Sequence, residues 1–257
     1  MKTKEVKQYI KNWILEYHRN SKTKGFVIGI SGGIDSALTS TLVAETGIPL
    51  LCIEMPINQN ENQVSRGKKH IAWLKKNYKN INSIECNLTE IFNQFKSISL
   101  EKNKNQLLAL ANTRSRLRMT TLYYYAQLNN SLVVGTGNKV EDFGIGFYTK
   151  YGDGGVDLSP IADLMKSEVF KLAKSLNINK DILEAPPTDG LWDNDQTDED
   201  QIGATYEELE WAMKNSQTKN LSQREQEVLK IYNHLQNTNK HKMVPIPVCK
   251  IPDKIKD

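Results

Sequence analysis

Val6, Ile10, Trp13, Ile14 and Tyr17 recur at the spacing of one helical face, so the chain opens on an amphipathic helix over residues 6–17. A short apolar, β-branched run at 26–30, bounded by Gly25 and by Ser31-Gly32-Gly33, predicts a buried strand. A helix follows over 36–46, with Gly47 placed to end it. Further strands are predicted at 50–55, 83–86 and 131–134, and further helices at 61–78 and 106–128. The second half reads as helical over 164–176, 206–214 and 222–235, with a long acidic loop at 186–203 and an extended tail at 245–257. A loop of that length inside a compact domain points to function or disorder.

Strands alternating with helices predict an α/β fold: a parallel sheet covered by helices on both faces, with extra helices in the C-terminal half. Ligands of such sheets bind at the carboxyl ends of the strands. The segments 31–36 and 136–157 both follow strands, so they are expected on the same edge. The 257 residues are enough for one sizeable core, and a single domain over 1–257 is the expectation. No stretch reaches the roughly 18 apolar residues of a membrane span, and the start lacks the pattern of a secretory leader. Three widely spaced cysteines, Cys52, Cys86 and Cys249, give neither a zinc pattern nor a disulfide framework, which fits reduced thiols in a cytoplasm. A net charge of +4 suits anionic ligands of several kinds and decides nothing alone.

The candidate chemistry starts at Gly29, Ile30, Ser31, Gly32, Gly33, Ile34, Asp35 and Ser36, between a strand and a helix. Two glycines allow a tight turn and close approach to a ligand, and a helix start offers free N–H groups to phosphate. The spacing is not that of the GxxxxGK[ST] loop. An aspartate beside phosphates requires a cation between them, and Mg²⁺ held by one or two carboxylates fits. The plainer reading is a tight turn with Asp35 as a helix N-cap. Arg114 and Arg118 share a helix face and Arg116 is turned away, which is also the pattern of a solvated basic face.

SGGIDS resembles the SGGxDS signature of the N-type ATP pyrophosphatases, or PP-loop enzymes. NTRSRLRM at 112–119, the stretch from Gly135 to Phe170, and GLW with QTDED at 190–200 resemble the NAD⁺ synthetases within that superfamily. The resemblance runs from about residue 25 to 242. It implies a Rossmann-like fold of the adenine-nucleotide alpha-hydrolase type and a C–N ligase working as a cytoplasmic homodimer. The implied reaction joins ammonia to deamido-NAD at the expense of ATP, through an adenylate, giving NAD⁺, AMP and pyrophosphate as the last step of NAD⁺ biosynthesis. It also implies Asp35, Lys166 and Thr188 as catalytic groups. Residues 29–36, Thr136, Lys166 and Thr188 would bind ATP; Asp35 and Glu141 would hold Mg²⁺; Arg116, Lys150, Asp157, His241 and Lys242 would bind deamido-NAD.

The pattern departs from the family in places. The stretch 141–150 and DGLWDNDQ are each a residue longer than in many bacterial members, Asp189 stands where a small residue is usual, and Met243 stands where an arginine often does. Glutamine-dependent members carry an amidase domain about as large as this whole chain, so free ammonia or a separate donor protein is expected. Another PP-loop ligase, such as a tRNA-modifying enzyme, is the alternative; no extra sulfur-transfer cysteines or RNA-binding appendage speak for it. A non-catalytic nucleotide sensor would not need Asp35, Glu141 and Lys166 together. A nucleic-acid module would rest on the arginine helix alone, without aromatic platforms for stacking, so no nucleic acid and no membrane partner are expected.

Overall fold

The computed structural model describes residues 1–59, 61–98, 105–188, 190–191, 197–215 and 220–256. Helix α1 (Thr3–Ser21) leads into β1 (Gly25–Gly29), α2 (Ile34–Ala44), β2 (Leu50–Glu54), α3 (Glu61–Asn77) and β3 (Ile81–Glu85). Helices α4 (Thr89–Ser97) and α5 (Gln106–Asn129) carry the chain across to β4 (Ser131–Val133). The C-terminal half holds α6 (Lys166–Ser175), α7 (Lys180–Leu183), α8 (Asp198–Ile202), α9 (Tyr206–Asn215) and α10 (Gln223–Met243).

The four strands are all parallel, in the order β3-β2-β1-β4. Alternation along β1 sends Phe26 and Ile28 to one face and Val27 to the other, and all three are buried. Phe26 and Ile28 join Leu38, Leu42, Val169 and Leu172 from α2 and α6. Val27 joins Ile53, Phe92, Leu110 and Val133 on the α4–α5 side. Helices therefore cover both faces, as the apolar strands require. Each such side chain taken from water stabilises the fold by about 1.5–3 kcal/mol. A third cluster, Val140, Ile145, Ile202, Leu209 and Val228, packs α8, α9 and α10 beside the sheet.

The order of strands locates the site. The chain adds β2 and β3 on one side of β1, then returns to add β4 on the other. The loops leaving β1 and β4 diverge there, opening a crevice at the carboxyl edge.

Several expected boundaries move. Residues 198–202 of the expected loop form α8, capped by Thr197, which accepts from Asp200 N while Asp200 reaches back, and ended by Gly203 at φ +82°. Within the expected loop 136–157, Val140–Ile145 is a π-helical turn. Helix α10 runs on to Met243 and so carries His241 and Lys242. Cys86 follows β3 rather than lying in it. Asp189 and residues 192–196, where the acidic loop is expected, lie outside the described residues. Among the described residues no helix is long and apolar enough to cross a membrane.

Candidate active site

At the end of β1, Ile30 N still donates to Ile53 O of the neighbouring strand, and the chain then turns. Gly32 makes the turn at φ +80°. A Cβ there would meet Gln63 O of α3 at 2.4 Å, so both backbone angle and space demand glycine. Arg66 of α3 donates to Gly32 O at 3.2 Å, Ser36 Oγ donates to Gly33 O at 3.0 Å, and Gly33 N donates to Ser31 Oγ at 3.2 Å. The turn is thus held by the protein's own hydrogen bonds. The N-cap of α2 is Gly33, in extended conformation and without a side-chain cap. Asp35 is therefore not the cap, and it lines the cleft together with Gly33, Ile34 and Ser36 at the start of α2, where helix N–H groups lack intrahelical partners and suit an anion.

Beyond β4, buried Asn138 fastens the two loops together. Its Oδ1 accepts from Val140 N and Glu141 N, at 3.1 and 3.2 Å, and its Nδ2 donates to Asp35 Oδ1 at 3.2 Å. Glu141, in the first turn of the π helix, is thereby set beside Asp35. Lys166, the first residue of α6, reaches both: Nζ lies 2.7 Å from Asp35 Oδ2 and 3.0 Å from Glu141 Oε1. Its side chain is 4% exposed, against 19% for Asp35 and 17% for Glu141. Glu210 of α9 holds the start of α6 by accepting from Ser167 N and Oγ, at 2.7 and 2.8 Å.

Burial opposes the Lys166 charge, but Asp35 and Glu141 outweigh it and raise its pKa, so the ammonium persists. Burial also opposes the Glu141 charge; there Lys166 and the Tyr206 hydroxyl prevail and lower the pKa. For Asp35, burial prevails over Lys166 and raises it. Asp142, next in the turn, is pushed up to about 8 by burial and by the nearby carboxylates of Glu141, Asp153 and Asp35. Two converging carboxylates around a cation are the donor set Mg²⁺ takes when phosphates complete its shell, and the Lys166 ammonium stands where such a charge is wanted. Among the described residues no group of three or more His, Cys, Asp or Glu side chains forms a cage. The pair thus fits a cation shared with a nucleotide rather than a site made wholly of protein.

These groups line a cleft of about 260 Å³, with Thr136 and Thr188 also in its wall. The expected substrate residues form a second, more exposed cluster. Lys150 Nζ donates to His241 O at 2.9 Å, and Arg116 Nε to Lys150 O at 3.4 Å. Lys242 Nζ donates to Gly146 O and Tyr148 O, both at 2.8 Å. Arg116, Lys150, His241 and Lys242 thus come together within one chain. The Asp157 carboxylate accepts from Tyr123 OH at 3.0 Å and Val133 N at 2.7 Å, at the end of β4.

The arginine helix is not a solvated face. Arg114 is buried with its guanidinium 4.5 Å from the Phe92 ring centroid and donates to Leu191 O, while Arg118 donates to Met55 O and Gln59 Oε1. Asn138, Asp142, Asp198 and Tyr206 are site residues that pattern reasoning does not single out. A lone polar residue inside a glycine-punctuated loop, or at the start of an amphipathic helix, carries no periodic signal.

A phosphate cradle at the switch point of a parallel sheet, faced by a buried lysine between two carboxylates, is a nucleotide site of the PP-loop kind. The chain belongs to the NAD synthase family, whose sequence model matches residues 6–245. It is 40% identical over 208 residues to the NH(3)-dependent NAD(+) synthetase of Mycoplasma genitalium, covering 80% of this chain and 81% of that one. Among solved structures it is similar to the NMN synthetase of Francisella tularensis, with TM-score 0.85 and 33% identity over 98% of this chain and 99% of that one. It is also similar to the NH3-dependent NAD synthetase of Campylobacter jejuni, with TM-score 0.79 and 26% identity over 97% of this chain and all of that one.

Proposed function

We propose that the protein is an ammonia-dependent NAD⁺ synthetase: it adenylates the nicotinate carboxylate of deamido-NAD with ATP and exchanges AMP for ammonia. The observation that carries this reading is the Lys166 ammonium held between Asp35 and Glu141 beside the glycine cradle. A carboxylate oxygen of the acid attacks the α-phosphorus of ATP, the α–β bridging bond breaks, and pyrophosphate leaves. Neutral ammonia then attacks the acyl carbon, AMP departs with the electron pair of the anhydride bond, and the nitrogen sheds a proton.

Residues 29–36 and Thr136 would grip the nucleotide, with the N–H groups of α2 directed at phosphate. Lys166 and Thr188 would meet the phosphate charge that grows as pyrophosphate leaves. Asp35 and Glu141 would hold Mg²⁺, which when bound neutralises phosphate charge. Arg116, Lys150, Asp157, His241 and Lys242 would take the acid nucleotide. We further assign a single domain, a cytoplasmic homodimer, and free ammonia or a separate donor protein. Exposed apolar side chains on α4 and α5, among them Ile91, Phe95, Leu107, Leu108 and Tyr124, support a surface for the second copy.

The likeness to an NMN synthetase across nearly the whole chain favours one second reading, in which the same amidation acts on nicotinic acid mononucleotide. Both acids should be incubated separately with the protein, ATP, Mg²⁺ and ammonium. Formation of the amide with equal AMP and pyrophosphate is the expected result, and the larger kcat/KM identifies the acid. ADP with phosphate in place of AMP would overturn the reaction.

A further inference from the structure

Tyr206 is the first residue of α9 and only 5% exposed. Its hydroxyl lies 2.6 Å from Glu141 Oε1 and 3.2 Å from Asp198 Oδ2. Its ring centroid is 4.7 Å from Lys166 Nζ. One side chain therefore touches both the carboxylate and the ammonium of the candidate centre, through different parts of itself. We propose that Tyr206 is a positioning residue that fixes Glu141 for its cation.

Glu141 Oε1 receives two donors, Lys166 and Tyr206, and these differ in what happens when a cation enters. An ammonium and a metal ion repel each other across a shared carboxylate. A neutral hydroxyl does not, so Tyr206 can keep its bond to Glu141 while the cation binds. Outer partners of this kind orient a ligating carboxylate before the metal arrives. The phenol has one proton for two acceptors, and the shorter distance assigns it to Glu141. The start of α9 is itself held by α8: Tyr206 N donates to Glu199 Oε1 at 2.8 Å, while Asp198 N donates to Pro187 O at 3.1 Å. One turn along α9, Glu210 grips Ser167 beside Lys166, so the same helix face sets both partners of the ion pair.

The inference rests on the reading of Asp35 and Glu141 as the cation site, and the test separates the two. Mg²⁺ is titrated against the full chain with α,β-methylene-ATP, which cannot be split between its α and β phosphates, and the thermal midpoint is followed. Tyr206→Phe removes one oxygen and leaves the ring over Lys166. The expected result is a half-saturating Mg²⁺ concentration raised about 10- to 100-fold, with the metal-free midpoint close to wild type. At saturating Mg²⁺ the variant should recover most of its kcat. Glu141→Gln should flatten the Mg²⁺ response altogether. If Glu141→Gln flattens it and Tyr206→Phe titrates like wild type, the role of Tyr206 is refuted while the cation site stands. If Glu141→Gln also titrates like wild type, the cation site itself is refuted and the inference goes with it.

Discussion

Lys166 Nζ lies 2.7 Å from Asp35 Oδ2 although 131 residues separate them in the chain. The contact joins the start of α2 to the start of α6 and holds a buried positive charge against two carboxylates. Removing one partner of such an arrangement leaves charge uncompensated where water cannot relieve it.

Lys166→Met should therefore act twice. In metal-free buffer the unfolding free energy should fall by about 3–5 kcal/mol, the cost of breaking a buried ion pair. Turnover should fall by about 10²–10³, the typical loss of one phosphate-stabilising group. Added Mg²⁺ should restore part of the stability, since it resupplies positive charge to Asp35 and Glu141. Chemical denaturation with and without Mg²⁺ checks this, and equal losses in both buffers would contradict it.

The two glycines of the cradle should respond differently. Gly32→Ala places a Cβ at φ +80° and 2.4 Å from Gln63 O, so the turn must open. A loss of about 1–3 kcal/mol is expected from the backbone strain, together with loss of ATP binding. A Cβ on Gly33 meets only Ser31 Oγ, at 3.3 Å, and the same melt should change little. Comparable destabilisation by both variants would show that the turn is not set by Gly32.

Asp142 should make the metal-free protein less stable as pH rises. Its folded pKa of about 8 stands above the ordinary 3.8, so the unfolded chain loses its proton first. Stability is then lost progressively from about pH 4 to about pH 8 and levels off above. Asp142→Asn cannot ionise, so its advantage over wild type should widen across that window. Thermal melts in chelator from pH 5 to 9 read this directly; a constant gap would mean the carboxyl ionises normally. Gly137 is bound to the same crowding, because a Cβ there would fall 2.2 Å from the Asp142 carboxylate oxygens.

His70 should have the opposite sign. It is fully buried, hydrogen-bonded to Ser40 Oγ at 2.9 Å, and burial holds its pKa down at about 4. The unfolded chain takes up the proton near pH 6.5, so His70 favours the folded state above that value and ceases to as pH falls toward 4. Its ring resonances should stay those of the neutral form until the pH nears 4 in an NMR series from pH 7.5 downward. Titration of His70 near 6.5 would contradict its burial.

β1, β2 and β4 were legible because they are short apolar runs closed within two or three residues by glycine or proline, and buried parallel strands need no more. The cradle was legible because Gly32 and Gly33 follow such a run directly. The π-helical turn at Val140–Ile145 was not, since Gly144 and Gly146 read as loop punctuation. Helix α8 escaped for another reason: DEDQI has no apolar period, and the helix rests on caps at Thr197 and Gly203 instead. Arg114 misleads as well. Its burial against Phe92 depends on α4 crossing α5, a tertiary fact that no local pattern encodes.

Asn239 and Lys242 close the end of α10 onto the turn that carries Glu141: Asn239 donates to Ile145 O, and Lys242 to Gly146 O and Tyr148 O. At Gly146, φ is +63° and a Cβ would fall 2.5 Å from Asn239 Cβ, so the two pieces meet backbone to side chain without slack. The last helix is therefore a keystone for the turn that carries Glu141, whereas the exposed tail from Val244 onward lies outside the arch. Shortening this protein from its C-terminus is consequently a stepwise matter. Trimming to Met243 should spare both contacts, and five residues more should remove Asn239 and Lys242 together.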